Sequence, residues 1–308
     1  MNKRESGQII TYFGGEFHEH VVNCLDKYAV KWDLDILRFV PHLSMSCIFF
    51  CRSARYGDAA LKISSNSDKD FRGEYNVLRE YGGGKFCNVY DCDREDKVML
   101  LEQITPGIEL AEEKSLVRRM DVFSGLFNRL HKKPSDPALF QTYGDKLCGS
   151  VKYFKNRDDL GDLYVHLMKA IKVYDSVSAV YSTEMLLHGD LHAKNILSRG
   201  NGGYVIIDPQ GLAGDPVFDI PRFIMAEYYG YVQTIEGYNA NKEASLEQRA
   251  EWVEQIIKYF SNSLGVPQTV VRQCFYIEVT LYECWSASVG GYDIDNPLFA
   301  EMITNRYN

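Results

Sequence analysis

Chemistry concentrates in one stretch of this chain, His188-Gly-Asp-Leu-His-Ala-Lys-Asn195, followed thirteen residues after Asn195 by Asp208 in Ile207-Asp208-Pro209. An aspartate and an asparagine five residues apart, with a second aspartate behind an apolar strand, supply the base and ligands that phosphoryl transfer from a nucleotide requires. A phosphoryl group in flight needs little covalent help, so the protein must place a hydroxyl, hold Mg²⁺ and neutralise charge. Asp190 is the candidate base. Asn195 offers a neutral carbonyl oxygen to Mg²⁺, and Asp208 a carboxylate to bridge metal and phosphates. A lone Asp-x-x-x-x-Asn pair is more often a turn device. Here the order His-x-Asp-Leu-x-x-x-Asn, apolar strand (Gly203 to Ile207), then Asp gives the pattern its content. His188 reads as a packed loop residue, and His192 is open to either reading.

These residues need elements to position them. The first forty residues read as helices, Phe17 to Tyr28 and then Trp32 to Phe39, with Pro41 as a stop. Ser46 to Arg52 and Ala59 to Ile63 read as a hairpin, Phe86 to Asp91 and Lys97 to Glu102 as further strands. The expectation is a small antiparallel-sheet lobe with one helix packed on it, ending near residue 104. Lys62 lies in the second hairpin strand. Glu74 falls on the apolar face of the helix Lys69 to Tyr81, with Phe71, Tyr75 and Leu78. An inward carboxylate needs a cation, and Lys62 is the nearest candidate. Such a pair holds nucleotide phosphates; the alternative is two solvated side chains. Adenine would meet backbone groups from Glu102 to Ile104, at the crossover between lobes. Beyond it the pattern is mostly helical: Leu110 to His131, Leu160 to Tyr181, Pro221 to Tyr231, Leu246 to Phe260 and Thr269 to Val289.

The net charge of −8 argues against a nucleic-acid binder. From Val205 onward there are 14 Asp and Glu against 6 Lys and Arg, which leaves residues 1–204 balanced. An acidic second half suits a cationic substrate, although acidic solvated helices such as Glu243 to Glu251 are common. No apolar signal core follows Met1, and no run approaches a membrane span, so the cytoplasm is the expected location. Eight scattered cysteines without a C-x-x-C pair read as mostly buried, reduced thiols.

The segments Leu187-His-Gly-Asp-Leu-His-Ala-Lys-Asn-Ile-Leu197 and Val205-Ile-Ile-Asp-Pro-Gln-Gly-Leu-Ala-Gly-Asp-Pro-Val-Phe-Asp219 resemble the aminoglycoside phosphotransferases, nearest the streptomycin and hydroxyurea phosphotransferase branch. Leu100 to Gly107 is similar to that branch's hinge, and Ala60-Leu-Lys-Ile63 with Glu74 matches its lysine and glutamate. The likeness spans roughly residues 40–220. It implies an α+β, protein-kinase-like bilobal fold, with a small antiparallel-sheet lobe (1–104) and a mostly helical lobe (105–308). It also implies ATP with Mg²⁺, Asp190 as base, Asn195 and Asp208 as metal ligands, and Asp215 and Asp219 as braces of the loop. Departures are plain too. Pro41 to Cys47 stands where a phosphate-covering loop should lie but has no G-x-G-x-x-G, leaving Ser44 and Ser46 as the hydroxyl and amide donors. Gly189 stands where regulated protein kinases carry an arginine, which favours constitutive activity.

The reading expected is a kinase for a hydroxyl of an aminoglycoside such as streptomycin. Its substrate candidates are Glu278, Glu283, Trp285, Asp293 and Asp295. A second reading keeps the chemistry with a metabolic acceptor of the choline, homoserine, methylthioribose or fructosamine type. A third is a pseudokinase that only binds.

Overall fold

A computed structural model describes residues 1–238 and 245–306 and divides the chain into two units, Met1–Ile108 with Leu197–Gly211, and Glu109–Ile196 with Leu212–Asn308. The segment carrying Asp208 thus groups with the first unit, whereas a single cut near residue 104 would have left it in the second.

In the first unit, α1 (Lys3–Phe13) and α2 (Gly15–Lys31) precede β1 (Leu34–Val40), β2 (Ser46–Ser53), β3 (Gly57–Ser64), α3 (Asp68–Tyr81), β4 (Val89–Asp93), β5 (Val98–Glu102) and β6 (Pro106–Glu109). Five strands form one antiparallel sheet in the order β1-β2-β3-β5-β4. Asn2 starts α1 through a reciprocal cap with Glu5, and Gly14, at φ +90°, turns the chain into α2. Ile9, Val21 and Tyr28 of the helices share a core with Phe49, Leu61 and Leu100 of the sheet. Burial of such side chains, at about 1.5–3 kcal/mol each, outweighs the solvated ion pairs Lys27–Asp96 and Lys31–Asp93 at the same seam.

Residues 34–40 form a strand, where the spacing of Leu34, Leu37 and Phe39 had suggested a helix. Asp33, at φ +51°, ends α2's path, and β1 then pairs with β2 through a bulge between Ile36 and Arg38. The bulge shifts the alternation so that Leu34 and Phe39 are buried and Leu37 is exposed. The strand read at Phe86 to Asp91 starts at Val89; Phe86 instead bridges Ile206 of β10 (Tyr204–Ile206), which joins β9 (Ile196–Arg199) and β6 in a small sheet.

The second unit begins with α4 (Leu116–Phe127), not with a helix from Leu110 to His131. Ser115 caps it by accepting from Arg118 N, and a separate 3-10 turn takes Leu110–Glu112. Then follow β7 (Gln141–Thr142), α5 (Tyr143–Phe154), α6 (Gly161–Ser178), β8 (Met185–Leu187), β11 (Leu212–Gly214), α7 (Ile220–Tyr238), α8 (Leu246–Leu264), α9 (Gln268–Ser288) and α10 (Asp295–Asn305). Helices α5 and α10 were not anticipated from the sequence. The acidic stretch Glu243 to Glu251 enters α8 at Leu246, and its first two residues lie outside the described residues. Buried on nearly every side, α9 packs against α6, α7, α8 and α10, while Phe123, Phe223 and Phe260 tie α4, α7 and α8 at ring separations of 4.7–5.4 Å. Among the described residues no helix is long and apolar enough to cross a membrane.

All eight cysteines are free; six are buried, Cys92 is half-buried and Cys148 is exposed. Burial pushes the Cys47 thiol up to about 12. A thiol-specific chromogenic reagent at neutral pH should therefore titrate one fast group in the native protein, lost in Cys148→Ser, and all eight after denaturation. Several fast native thiols would contradict this burial.

Candidate functional site

In the first unit, Lys62 Nζ lies 2.6 Å from Glu74 Oε1 and 2.8 Å from Asp208 Oδ1. Three elements make this meeting. Lys62 is central in β3, Glu74 is on the buried face of α3, and Asp208 follows β10 in the left-handed region at φ +56°. Burial works against the Lys62 ammonium, but the Asp208 and Glu74 carboxylates outweigh it and raise its pKa above the ordinary lysine value. Burial pushes the Glu74 carboxyl above the ordinary carboxylate range, with Lys62 at 2.6 Å opposing this and Asp208 adding to it. Lys62 and Glu74 side chains are 5% exposed and Asp208 35%, so Asp208 is the carboxylate of the trio that is open to a ligand.

In the second unit the loop 188–195 is pinned from beneath. Buried Asp219 accepts the backbone N–H groups of His188 at 2.7 Å and Gly189 at 2.8 Å, and lies 2.9 Å from His131 Nε2. Burial would raise its pKa, yet His131, His188 and these donors hold it below the ordinary carboxylate range. Asp215 does not brace this loop: it binds Thr183 N and Oγ1 and caps the turn at Val217. His188 is packed, and its Nδ1 accepts from Asp190 N at 3.1 Å. Asn195 Nδ2 donates to the Asp190 carbonyl at 2.9 Å, which orients the amide and leaves its oxygen as a ligand atom. Asp190 also meets Arg222, whose Nε donates to Asp190 Oδ1, and His192, 3.5 Å from the same oxygen. Burial would raise the Asp190 pKa; Arg222 and then His192 reverse this and hold it well below the usual carboxylate value.

Taken separately, Asn195 in the second unit offers an amide oxygen and Asp208 in the first a carboxylate oxygen, each a hard donor of the kind that suits Mg²⁺. Among the described residues no three His, Cys, Asp or Glu gather as a metal cage.

The other candidates divide by burial and partners. Glu102's carboxylate accepts from Asn88 N, Asn88 Nδ2 and Arg199 Nη2, and its own N–H donates to Asn88 O. Its N–H is therefore taken by Asn88, and Ile104, two residues on, is buried. Ser46 is buried in β2 opposite Ser64, whereas Ser44 is exposed between β1 and β2. Glu283 is 3% exposed, and its oxygens accept from Tyr229 Oη, Asn296 Nδ2 and Asp293 N. That makes it an anchor of α7 and the α9–α10 connection rather than a substrate contact. Glu278 is buried, accepting from Tyr143 Oη at 3.1 Å. Trp285, Asp293 and Asp295 are exposed.

The profile described as "Aminoglycoside/hydroxyurea antibiotic resistance kinase" matches residues 38–290. The chain belongs to this family. It is 33% identical to streptomycin 6-kinase of Streptomyces griseus over 65% of this chain and 64% of that one, and 26% identical to hydroxyurea phosphotransferase of Kitasatospora aureofaciens over 67% and 62%. The chain therefore aligns with a little under two thirds of the length of these curated relatives. Its fold is protein-kinase-like: choline kinase LicA from Streptococcus pneumoniae superposes at TM-score 0.64 (14% identity, 94% of this chain, 100% of that one). Aminoglycoside phosphotransferase APH(4)-Ia does so at 0.57 (13% identity, 92% and 97%).

Within this antibiotic resistance kinase family member, two glycines set the Lys62 cluster. A Cβ on Gly73 would stand 2.5 Å from the backbone oxygen of Gln210, and one on Gly211, at φ +77°, 2.5 Å from Gly73. The α3 backbone one residue before Glu74 thus touches the turn that follows Asp208. Helical Gly→Ala ordinarily gains up to about 1 kcal/mol, but overpacking against backbone costs about 1–3 kcal/mol. Gly73→Ala should accordingly lower the Tm and weaken MgATP binding, whereas Gly7→Ala in α1, with nothing within 4 Å, should leave binding unchanged and raise the Tm. Equal Tm changes in the two variants, read by thermal denaturation, would refute the clash. Arg222 and Gly73 both escaped the sequence reading. A signal for the second existed in Gly211 of Asp-Pro-x-Gly; none existed for the first.

Proposed function

We propose that the chain transfers the γ-phosphoryl group of ATP, with Mg²⁺, to a hydroxyl of a small molecule, the favoured acceptor being an aminoglycoside-type antibiotic of the streptomycin kind. The observation that carries this is Lys62 bridging Glu74 and the half-buried Asp208, a cation poised for phosphates beside a carboxylate poised for metal. The family membership and the relative named streptomycin 6-kinase support the acceptor class, and a solved structure of APH(4)-Ia with ADP and hygromycin B supports the nucleotide.

Each group has a task in this reading. Lys62, held by Glu74, neutralises nucleotide phosphate charge. Mg²⁺ bound by Asn195 and Asp208 would supply further charge neutralisation at the phosphates. Asp190 accepts the hydroxyl proton as the new O–P bond forms and the bond from phosphorus to the bridging oxygen breaks, releasing ADP. Of the acidic substrate candidates, Glu278 and Glu283 already have internal partners, so Asp293, Asp295 and the indole of Trp285 remain for a cationic acceptor.

The test is ATP consumption with MgATP against a panel of aminoglycosides, choline, homoserine, methylthioribose and fructosamines. A response to streptomycin supports the reading. A response to choline or a sugar alone would end the antibiotic acceptor but keep the chemistry. Absence of any thermal stabilisation by MgATP would favour a binding-only protein.

A further inference from the structure

Arg222 lies in the first turn of α7, three residues after Asp219, whose carboxylate holds the backbone of His188 and Gly189. One short segment therefore carries both the brace of the loop and the cation that meets its aspartate. Arg222 Nε donates to Asp190 Oδ1, Nη1 is 3.9 Å from Glu278 Oε1, and the guanidinium sits 5.1 Å above the ring of Tyr282. Glu278 is itself fixed by Tyr143 Oη. His192 Nε2 approaches the same Oδ1 at 3.5 Å, whereas Oδ2 meets Asn195 Nδ2 only at 3.4 Å. The two carboxylate oxygens are thus unequal. Oδ1 carries a guanidinium and an imidazole; Oδ2 has one long contact.

We propose that Arg222 is a positioning residue that locks the Asp190 carboxylate through Oδ1 and leaves Oδ2 to receive the acceptor hydroxyl, with Glu278 and Tyr282 seating Arg222 rather than substrate. The inference rests on the phosphotransferase reading above. An aspartate can rotate about two side-chain bonds, and a planar guanidinium held by a carboxylate on one side and a ring face on another removes that freedom. Reaction rates are sensitive to such freedom, since misplacement by about 1 Å costs about 100-fold. The arrangement also reassigns Glu278. Its charge is used on Arg222, so the acceptor's recognition must lie elsewhere.

The experiment measures kcat and KM for streptomycin and MgATP in the whole chain carrying Arg222→Ala, Arg222→Lys and Glu278→Gln. Arg222→Ala should lower kcat by about 10- to 100-fold with both KM values nearly unchanged. Added guanidinium at sub-denaturing concentration should restore part of the loss in Arg222→Ala and none in Asp190→Asn. Arg222→Lys should recover part of kcat, since an ammonium supplies charge without the planar fork. Glu278→Gln should act in the same direction as Arg222→Ala, more weakly, and keeps the inference testable if Arg222→Ala folds poorly. An unchanged kcat in Arg222→Ala would overturn the proposal. So would a lowered KM for streptomycin there, which would mean that Arg222 competes for a cation seat, or a raised KM without a kcat change in Glu278→Gln. Loss of activity with a lowered Tm and no guanidinium rescue would reduce Arg222 to a structural role. A wild-type chain that turns over with no acceptor would instead remove the phosphotransferase reading itself, and this inference with it.

Discussion

Asp190→Asn is expected to lower turnover by about 10²–10⁴-fold while MgATP affinity stays within about twofold of wild type, the residual rate coming from positioning alone. The asparagine keeps the shape of the side chain and the backbone contacts to His188 and Asn195, which run through Asp190 N and O. What it loses is the acceptor for the hydroxyl proton and the charge partner of Arg222. Glu278, 3.9 Å from the guanidinium, limits the cost of that second loss. Steady-state kinetics paired with calorimetric titration of MgATP separate the two effects. Near-normal turnover would show that Asp190 is not the base.

Asp208→Ala is expected to weaken both MgATP binding and turnover, each by at least the about 10–100-fold that losing even an outer partner of a metal ligand costs. Lys62 still keeps Glu74 at 2.6 Å, so the buried pair survives; removal of Glu74 itself would strand a buried cation at about 3–5 kcal/mol. Asp208 occupies the left-handed region, where alanine is strained, so Asp208→Asn serves as the conformational control. If Asp208 contacts the ion, the thermal shift given by ATP in wild type depends on Mg²⁺, and that dependence disappears in Asp208→Ala and weakens in Asp208→Asn, whose amide oxygen is an uncharged ligand. Retention of the Mg²⁺-dependent shift would remove Asp208 from the metal site.

What could be read in advance followed the range of the forces involved. The contact of Lys62 with Glu74 was legible because a strand interior and an apolar helix face each force a charged side chain inward, where it must find its opposite. The loop 188–195 could be singled out because the residues that make it a motif are local in sequence. Residues 34–40 were misread because a bulge blurs the two-residue period, and only pairing with β2 reveals the strand. The break before α4 was written in Ser115 but hidden by apolar residues on either side that continue a helical spacing. Glu283 looked like a free acidic group because its partners, Tyr229 and Asn296, come from elements 54 and 13 residues away. Arg222 was invisible for the same reason: nothing near it in sequence demands a cation at that position.

The contact between Gly73 and Gly211 has a thermodynamic consequence. The separation between the helix bearing Glu74 and the turn after Asp208 is fixed where main chain meets main chain, with no intervening side-chain torsion that could relax independently. Opening that contact means displacing α3 or the 208–211 segment as a body. Hydrogen exchange at the amides of 73–75 and of 208, 210 and 211 should then proceed through one shared opening event, and added MgATP should slow both sets by the same factor.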